Sequence, residues 1–394
     1  MILEIRALGP DDDRGELFDL RIRAFGPVSR DQHDRWLAAA ERAIADERYL
    51  AAFDGTRMIA AAKYHDLFQW WLGAGLPMAG IAAVAVAPED RGKGIGSALV
   101  GELMAGISAR GYPLSMLYPA TASLYRPAGW ELAGHTYEAV LPARSLRSIA
   151  SPAGDAGAVI RRSGPADAQA VSEVHAAVHG GARDCGPLTW DAEATRQWLG
   201  DDQVFTYLAA DGFLAYRWHG GHNEIFVERA IAASQATTRA LWAVLASSSS
   251  IAQTVRVRVS PAEPFWLLMS ERDLALSDDD QWMLRVMDAA AAVAGRGFPA
   301  GLEISARLAL EDAARPGNSG DWTLTVSNGK GSLERSQTAR ADGLLLGARG
   351  FAALYAGTSV PVLRRAGLAS GGDPHADALL DAAFTAQPFC LDIF

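Results

Sequence analysis

Cysteine is almost missing from this chain: two residues in 394, Cys185 and Cys390. Two thiols can pair with each other, but they build neither a disulfide framework nor a metal-binding spacing, and a reducing cytoplasm suits them best. Long apolar runs are also missing. No stretch approaches the ~18 residues of a membrane span, and Met1 to Arg6 has neither the basic flank nor the apolar length of a secretory signal. That segment reads as a first strand, and the protein as cytoplasmic. Cationic excess is absent too, with 36 Lys and Arg against 46 Asp and Glu and a net charge of -10. Nucleic acid, which needs a concentrated basic face, is disfavoured, and small cationic molecules are mildly favoured. The runs Asp11 to Asp13 and Asp278 to Asp280 read as solvated turns.

What is present divides into three parts, as 394 residues require. In the first part, Tyr49 to Phe53 reads as a strand, Asp54-Gly55 as a hairpin turn and Met58 to Tyr64 as its antiparallel return. Ile81 to Ala87 is a buried strand, Gly94 to Arg110 a helix and Leu114 to Leu117 a strand. A repeat follows. Ile5-Arg6-x-x-Gly9-Pro10-x-Asp12 recurs as Ile160-Arg161-x-x-Gly164-Pro165-x-Asp167, and Tyr49 to Gly55 is echoed at Tyr207 to Gly212. Two ordered matches indicate a duplicated domain. Beyond about residue 288 come strands at Leu302 to Leu310 and Trp322 to Ser327, a turn at Asn328-Gly329 and three helical stretches. The last of these, Pro374 to Phe384, is capped by Asp373. The expected division is 1–140, 141–288 and 289–394.

The chemistry concentrates at Val84-Ala85-Val86-Ala87-Pro88-Glu89-Asp90-Arg91-Gly92-Lys93-Gly94-Ile95-Gly96-Ser97, where a strand runs through a glycine-rich turn into a helix. Glycines let successive backbone N–H groups converge, and the helix start adds partial positive charge, a cradle for a pyrophosphate. The spacing is neither that of a nucleotide P-loop nor of a Rossmann turn. The second copy reads Arg229 to Thr238 at the matching place, without a glycine, so it is expected to have lost cofactor binding.

Arg91-x-x-Gly94-x-Gly96 after Val-Ala-Pro resembles the acetyl-CoA loop of the GNAT superfamily of N-acetyltransferases, and Leu124-Tyr125-Arg126-Pro127-Ala128-Gly129-Trp130 is similar to their Tyr-x-x-x-Gly-aromatic stretch. With the duplication, the third domain and the length, the whole chain resembles the enhanced intracellular survival family of multi-acetylating acetyltransferases. The resemblance implies an α+β, layered fold of two tandem GNAT-like domains and a C-terminal sterol-carrier-like domain. It further implies acetyl-CoA as co-substrate without a metal, small polycationic amines (aminoglycosides or polyamines) as acceptors, and a homo-oligomer, a hexamer. The backbone of Val84 to Val86 would hold pantetheine and thioester, Arg91, Gly92, Lys93, Gly94, Ile95, Gly96 and Ser97 the pyrophosphate, and Ala120 and Thr121 would line the cofactor. Tyr125 would protonate the leaving thiolate, and the terminal carboxylate of Phe394 would act as base.

The residues support the last role in one respect: termini are usually polar, yet this one ends Pro388-Phe389-Cys390-Leu391-Asp392-Ile393-Phe394, a segment built for burial. A free α-carboxyl is a weak base, however, and a tail that docks as an edge strand is the alternative. Tyr125 as a packed core residue is likewise open. His33 and Trp36 are candidate acceptor contacts, with a core tryptophan as the other reading, and Asp392 is a candidate partner for substrate ammonium groups or an exposed rim residue. His175 and His179 have the spacing of a metal pair, but no Glu or Cys completes a site, so packing is favoured. Two other functions stay open at this level: acetylation of protein lysines, and a non-catalytic protein that binds an apolar ligand in its third domain.

Overall fold

The computed structural model describes residues 3–149, 157–270, 275–336 and 343–394. In the first half, strands β1 (Leu3–Ala7), β2 (Tyr49–Asp54), β3 (Arg57–Trp71), β4 (Ala74–Val86), β5 (Leu114–Leu117) and β6 (Glu131–Pro142) alternate with helices α1 (Arg14–Phe25), α2 (Arg30–Ala45), α3 (Ile95–Ala109) and α4 (Ala122–Tyr125). The second half contributes β7 (Arg161–Arg162), β8 (Cys185–Trp190), β9 (Phe205–Ala209), β10 (Gly212–His219), β11 (Glu224–Ala232), β12 (Thr254–Val259) and β13 (Ala275–Val286). Its helices are α5 (Ala168–Ala182), α6 (Ala192–Leu199), α7 (Gln235–Ser247) and α8 (Phe265–Leu268). The last part holds α9 (Ala289–Gly295), β14 (Ile304–Glu311), β15 (Gly320–Ser327), β16 (Lys330–Arg335), β17 (Leu344–Gly347), α10 (Ala348–Tyr355), α11 (Val360–Arg365), β18 (Ala369–Gly371) and α12 (Pro374–Ala383).

One sheet runs through both halves in the order β1-β2-β3-β4-β5-β13-β6-β12-β11-β10-β9-β7, with β8 added to β3. The order shows an exchange. β13, from the end of the second half, pairs with β5 of the first, while β6, from the end of the first, pairs with β12 of the second. β13 and β6 then pair antiparallel with each other at the centre. Asp278 to Asp280 therefore belong to a central strand and not to a turn. Their acidity concealed it, because charged residues are poor markers of strands.

The duplication is visible in hydrogen bonds. The Asp12 carboxylate accepts from the Arg6 guanidinium at 2.7 Å and from the Gly9 N–H at 2.7 Å. Asp167 accepts from Arg161 at 2.6 Å and from Gly164 at 3.0 Å in the same local arrangement.

The last part has its own sheet, β16-β15-β14-β17-β18. Asn328 and Gly329, both at positive φ, make the turn between β15 and β16 that an Asn-Gly pair favours, and Asp373 caps α12 by accepting from the N–H groups of His375 and Ala376. Its core is continuous with the first half: Trp71, Leu76 and Met116 pack in one cluster with Phe298, Tyr355 and Phe384. Among the described residues no helix is long and apolar enough to cross a membrane.

Candidate active site

β4 carries the first feature of the site. Ala83 sits at φ +55, and the register with β3 jumps between Ala61↔Ala85 and Lys63↔Ala82, a bulge in the strand. On its other side β4 pairs with β5 only from Met78↔Leu114 to Ile81↔Leu117. Beyond Ile81 the two strands part, leaving Ala82 to Val86 without a strand partner on the β5 side, so that a ligand has backbone groups to bind; the Val86 carbonyl accepts from Arg91 Nε at 3.3 Å. Val84 and Val86 are half-buried and Ala85 is buried.

The loop after β4 meets α3 at Gly94, the N-cap residue, at φ +80 and with no side-chain cap. An added Cβ at Gly94 would meet nothing within 4 Å. Glycine is needed there for its left-handed backbone, and the space in front of the helix is open. The first N–H groups of the helix lack intrahelical acceptors and present partial positive charge to an anion. Arg91, Gly92, Lys93 and Ser97 are exposed around this opening, while Ile95 is buried and anchors the turn. Lys93 is held at the rim by a 2.7 Å ion pair to Asp90, which also takes Arg57 at 2.8 Å. These residues fit a pyrophosphate.

The second copy closes the equivalent opening. Ser234 caps α7 by accepting from the Thr237 N–H, and the Thr237 hydroxyl donates to Asp211. The helix start is thus occupied, and a carboxylate stands where a phosphate would have to approach.

Ala120 and Thr121 follow β5 on the exposed rim, and Leu124 of α4 lies 3.5 Å from where a Cβ on Gly96 would be. Tyr125 is thereby fixed beside the loop. It is buried, its ring edge-on to Trp130; burial pushes its phenol up to about 12, so it is a proton donor throughout the neutral range.

The C-terminal tail reaches the site from the opposite side. Phe389 bridges His135 of β6, and the Cys390 N–H donates to the His135 carbonyl at 3.0 Å. Phe389 and Leu391 enter the core of the second half, while Cys390 enters the central one. Asp392 is buried: its carboxylate accepts from Trp190 Nε1 at 2.9 Å and pairs with Arg229, and its carbonyl accepts from the Tyr118 hydroxyl at 2.6 Å. The exposed-rim reading of Asp392 is thus replaced by a structural pairing, which bulk sequence position had no means of showing. The Phe394 ring packs among His65, Tyr118 and Trp190 at centroid distances of 5.6 to 6.3 Å. It lies so close to Gly80 that a Cβ there would stand 2.8 Å from the ring. Gly80 pairs with Met116, one residue before the last β4–β5 pair. The chain therefore ends at the mouth of the gap.

Between the halves, where α2, α6, β3, β11 and the tail meet, is a cavity of about 790 Å³. Arg35, Arg42, Arg217 and Arg229 line it, but each is paired within the wall: Arg35 and Arg217 with Asp201, Arg217 also with Glu228, Arg42 with Asp191, Arg229 with Asp392. Asp34 and Asp66 also line it; the Asp34 carboxylate meets the His33 imidazole at 3.2 Å, and Asp66 is a hydrogen-bond partner of Tyr112. His33 and Trp36 do not face the cavity. Both rings pack on Phe18 of α1, at 4.3 and 5.1 Å, because the period of α2 turns Asp34, Arg35, Ala38 and Arg42 to the cavity instead. His65, Trp190 and Tyr118 were not legible as site residues, since only strand pairing and the distant tail bring them together. Among the described residues no cluster of metal-ligating side chains occurs, and His175 and His179 are buried against Arg229 and Asp184.

A splayed strand pair, a helix start without a side-chain cap and a buried phenol thus lie in the first half of the chain. Comparison with known proteins gives the family. Residues 4–133 and 186–286 each match the model of an acetyltransferase (GNAT) domain, and residues 289–391 that of a sterol carrier protein domain. The GCN5-related N-acetyltransferase from Kribbella flavida is 39% identical, with a TM-score of 0.93 and coverage of 100% of this chain and 98% of that one. N-acetyltransferase Eis of Mycobacterium tuberculosis is 27% identical over 294 residues, 70% of each chain. Eis1 from Mycobacterium abscessus shares the fold at 23% identity and a TM-score of 0.78, over 99% of this chain and 100% of that one. The chain belongs to the GCN5-related N-acetyltransferases, with the tandem-plus-carrier architecture of their Eis members, and GNAT domains imply the use of acetyl-CoA.

Proposed function

We propose that the protein transfers the acetyl group of acetyl-CoA to a primary amine of a small molecule held in the cavity between the halves. What supports this reading is the β4–β5 gap, with Phe394 packed beside Gly80 at its mouth and Tyr125 buried in the core cluster that Ile81 and Leu117 share. Acetyl-CoA supplies the activated acyl group. The N–H groups following Gly94 bind its pyrophosphate, with Arg91, Gly92, Lys93 and Ser97 around it, and the free edge of Val84 to Val86 orients the thioester. Ala120 and Thr121 line the far rim. Tyr125 gives its proton to the departing sulfur, and the terminal carboxylate of Phe394 is the base that takes up the proton leaving the acceptor.

Polyamines and aminoglycosides are the acceptors this reading favours. A cavity of this volume accommodates them, and the carboxylates of Asp34, beside His33, and Asp66, beside Tyr112, stand in its wall to take ammonium groups. Several amines on one molecule would be acetylated in turn. The same reading takes the protein as a cytoplasmic homo-oligomer, a hexamer, which light scattering of the purified chain tests. The function is tested by thiol release with the untagged protein: Tyr125→Phe should turn over slowly while binding acetyl-CoA normally, and an unchanged rate would remove Tyr125 from the mechanism.

A further inference from the structure

His65 has no role in the reading above, yet it stands at the reacting point. It lies on β3 directly opposite Gly80 of β4, and neighbouring strands are ~4.8 Å apart, so it is two residues from where β4 leaves β5. Its ring is 5.1 Å from Trp190 and 5.8 Å from Phe394, edge-on to both, and it lines the acceptor cavity. Neither ring nitrogen makes a hydrogen bond with a described residue. Lys63 precedes it on the same face of β3, Arg48 lies just before β2 and Arg42 on α2; burial, and then these cations, hold the imidazole well below its ordinary pKa and so neutral, while Asp34, Asp66 and Asp191 line the same cavity. The tail brings the acid of Phe394 and the already paired Asp392.

We propose that His65 is the group that first accepts the proton of the acceptor ammonium. This rests on the acetyltransferase reading. The ammonium N–H bond breaks and an N–H bond forms on the free imidazole nitrogen. The released electron pair on the amine forms the C–N bond to the acetyl carbon as the C–S bond breaks, the sulfur takes its proton from Tyr125, the new amide nitrogen gives up its second proton to restore the Tyr125 phenol, and the imidazolium passes its proton to the Phe394 carboxylate or to cavity water. The usual difficulty is that a free alkylammonium holds its proton too tightly for such a base. The wall relieves this, because Arg42 and Arg48 line the same cavity and lower the proton affinity of an ammonium docked beside His65. Lys63, a primary amine in these surroundings, is itself pushed down to about 8.

The test uses the untagged full chain with whichever acceptor of a polyamine, aminoglycoside and lysine-peptide panel the wild type acetylates. His65→Ala should lower kcat by about 10²-fold, the usual contribution of a general base, with acetyl-CoA affinity unchanged, and added imidazole should restore part of the rate. His65→Gln, which keeps shape and polarity, should remain as slow as His65→Ala. A His65→Ala enzyme as fast as wild type, or one whose loss imidazole does not relieve and Gln repairs, overturns the inference while leaving the acetyltransferase reading intact. A wild-type protein that binds acetyl-CoA but acetylates no amine overturns both.

Discussion

The carboxylate of Asp392, two residues before the end of the chain, is held by the guanidinium of Arg229 on β11, both side chains being almost wholly buried. This pair fastens the tail to the second half of the molecule, and the fastened tail delivers Phe394 to the gap in the first. Removing one partner leaves an uncompensated buried charge, which costs about 3–5 kcal/mol. Arg229→Met should therefore lower the thermal midpoint and reduce kcat while acetyl-CoA affinity holds. The double variant Arg229→Met, Asp392→Leu should recover much of the lost stability, as calorimetry will show.

Tyr125→Phe removes the proposed acid without emptying its packing site. About 10²-fold in kcat should be lost, within the range of general acid catalysis. Because the wild-type phenol is pushed up to about 12, its deprotonation should not slow the reaction anywhere between neutral pH and pH ~10; a descending limb that vanishes in Tyr125→Phe would place its ionisation within that window and contradict the environment described.

Gly94→Val forces a branched side chain into a left-handed backbone, where an L-residue costs about 1–2 kcal/mol, and places bulk before the helix start. Acetyl-CoA binding, followed by calorimetric titration, should be lost while the fold is kept.

Lys63 gives a pH-dependent prediction. Burial and the nearby Arg48 and Arg21 push its ammonium down to about 8 from an ordinary value near 10.5. Between these values the unfolded chain binds more protons than the folded one, so stability rises with pH through that window, and the penalty is fully present below pH ~8. Lys63→Met should stabilise the protein by about 3 kcal/mol at pH 7, given ~1.4 kcal/mol per pKa unit, and the gain should shrink toward pH 10. Urea denaturation at the two pH values checks it.

Much of this was legible in the chain itself. The β2–β3 hairpin, β5 and α3 follow from turn chemistry and periodicity, and the glycine-rich loop was readable because Gly94 must adopt a backbone that other residues avoid. The duplicated Arg6–Asp12 motif was legible because its short-range hydrogen bonds are written within seven residues. The exchange of β6 and β13 was not. Both strands pair with partners more than a hundred residues away, and β13 carries three consecutive aspartates near its middle. The cavity between the halves failed to appear for the same reason: His65, Trp190, Arg229 and Asp392 come from four segments with no local pattern in common. Trp36 looked like a ligand contact because it is aromatic and sits on the right helix, but α2 turns it to Phe18.

The most direct test of the central claim compares the native chain with one lacking Phe394 and one extended beyond it, measuring thiol release from acetyl-CoA and counting transferred acetyl groups by mass spectrometry. The account predicts acetylation of a small amine by the native chain, and strong loss in both altered chains with acetyl-CoA binding retained. Full activity with a tag after Phe394 would contradict the role given to the end of the chain, and absence of acetyl transfer by the native protein across the whole panel would contradict the proposed function.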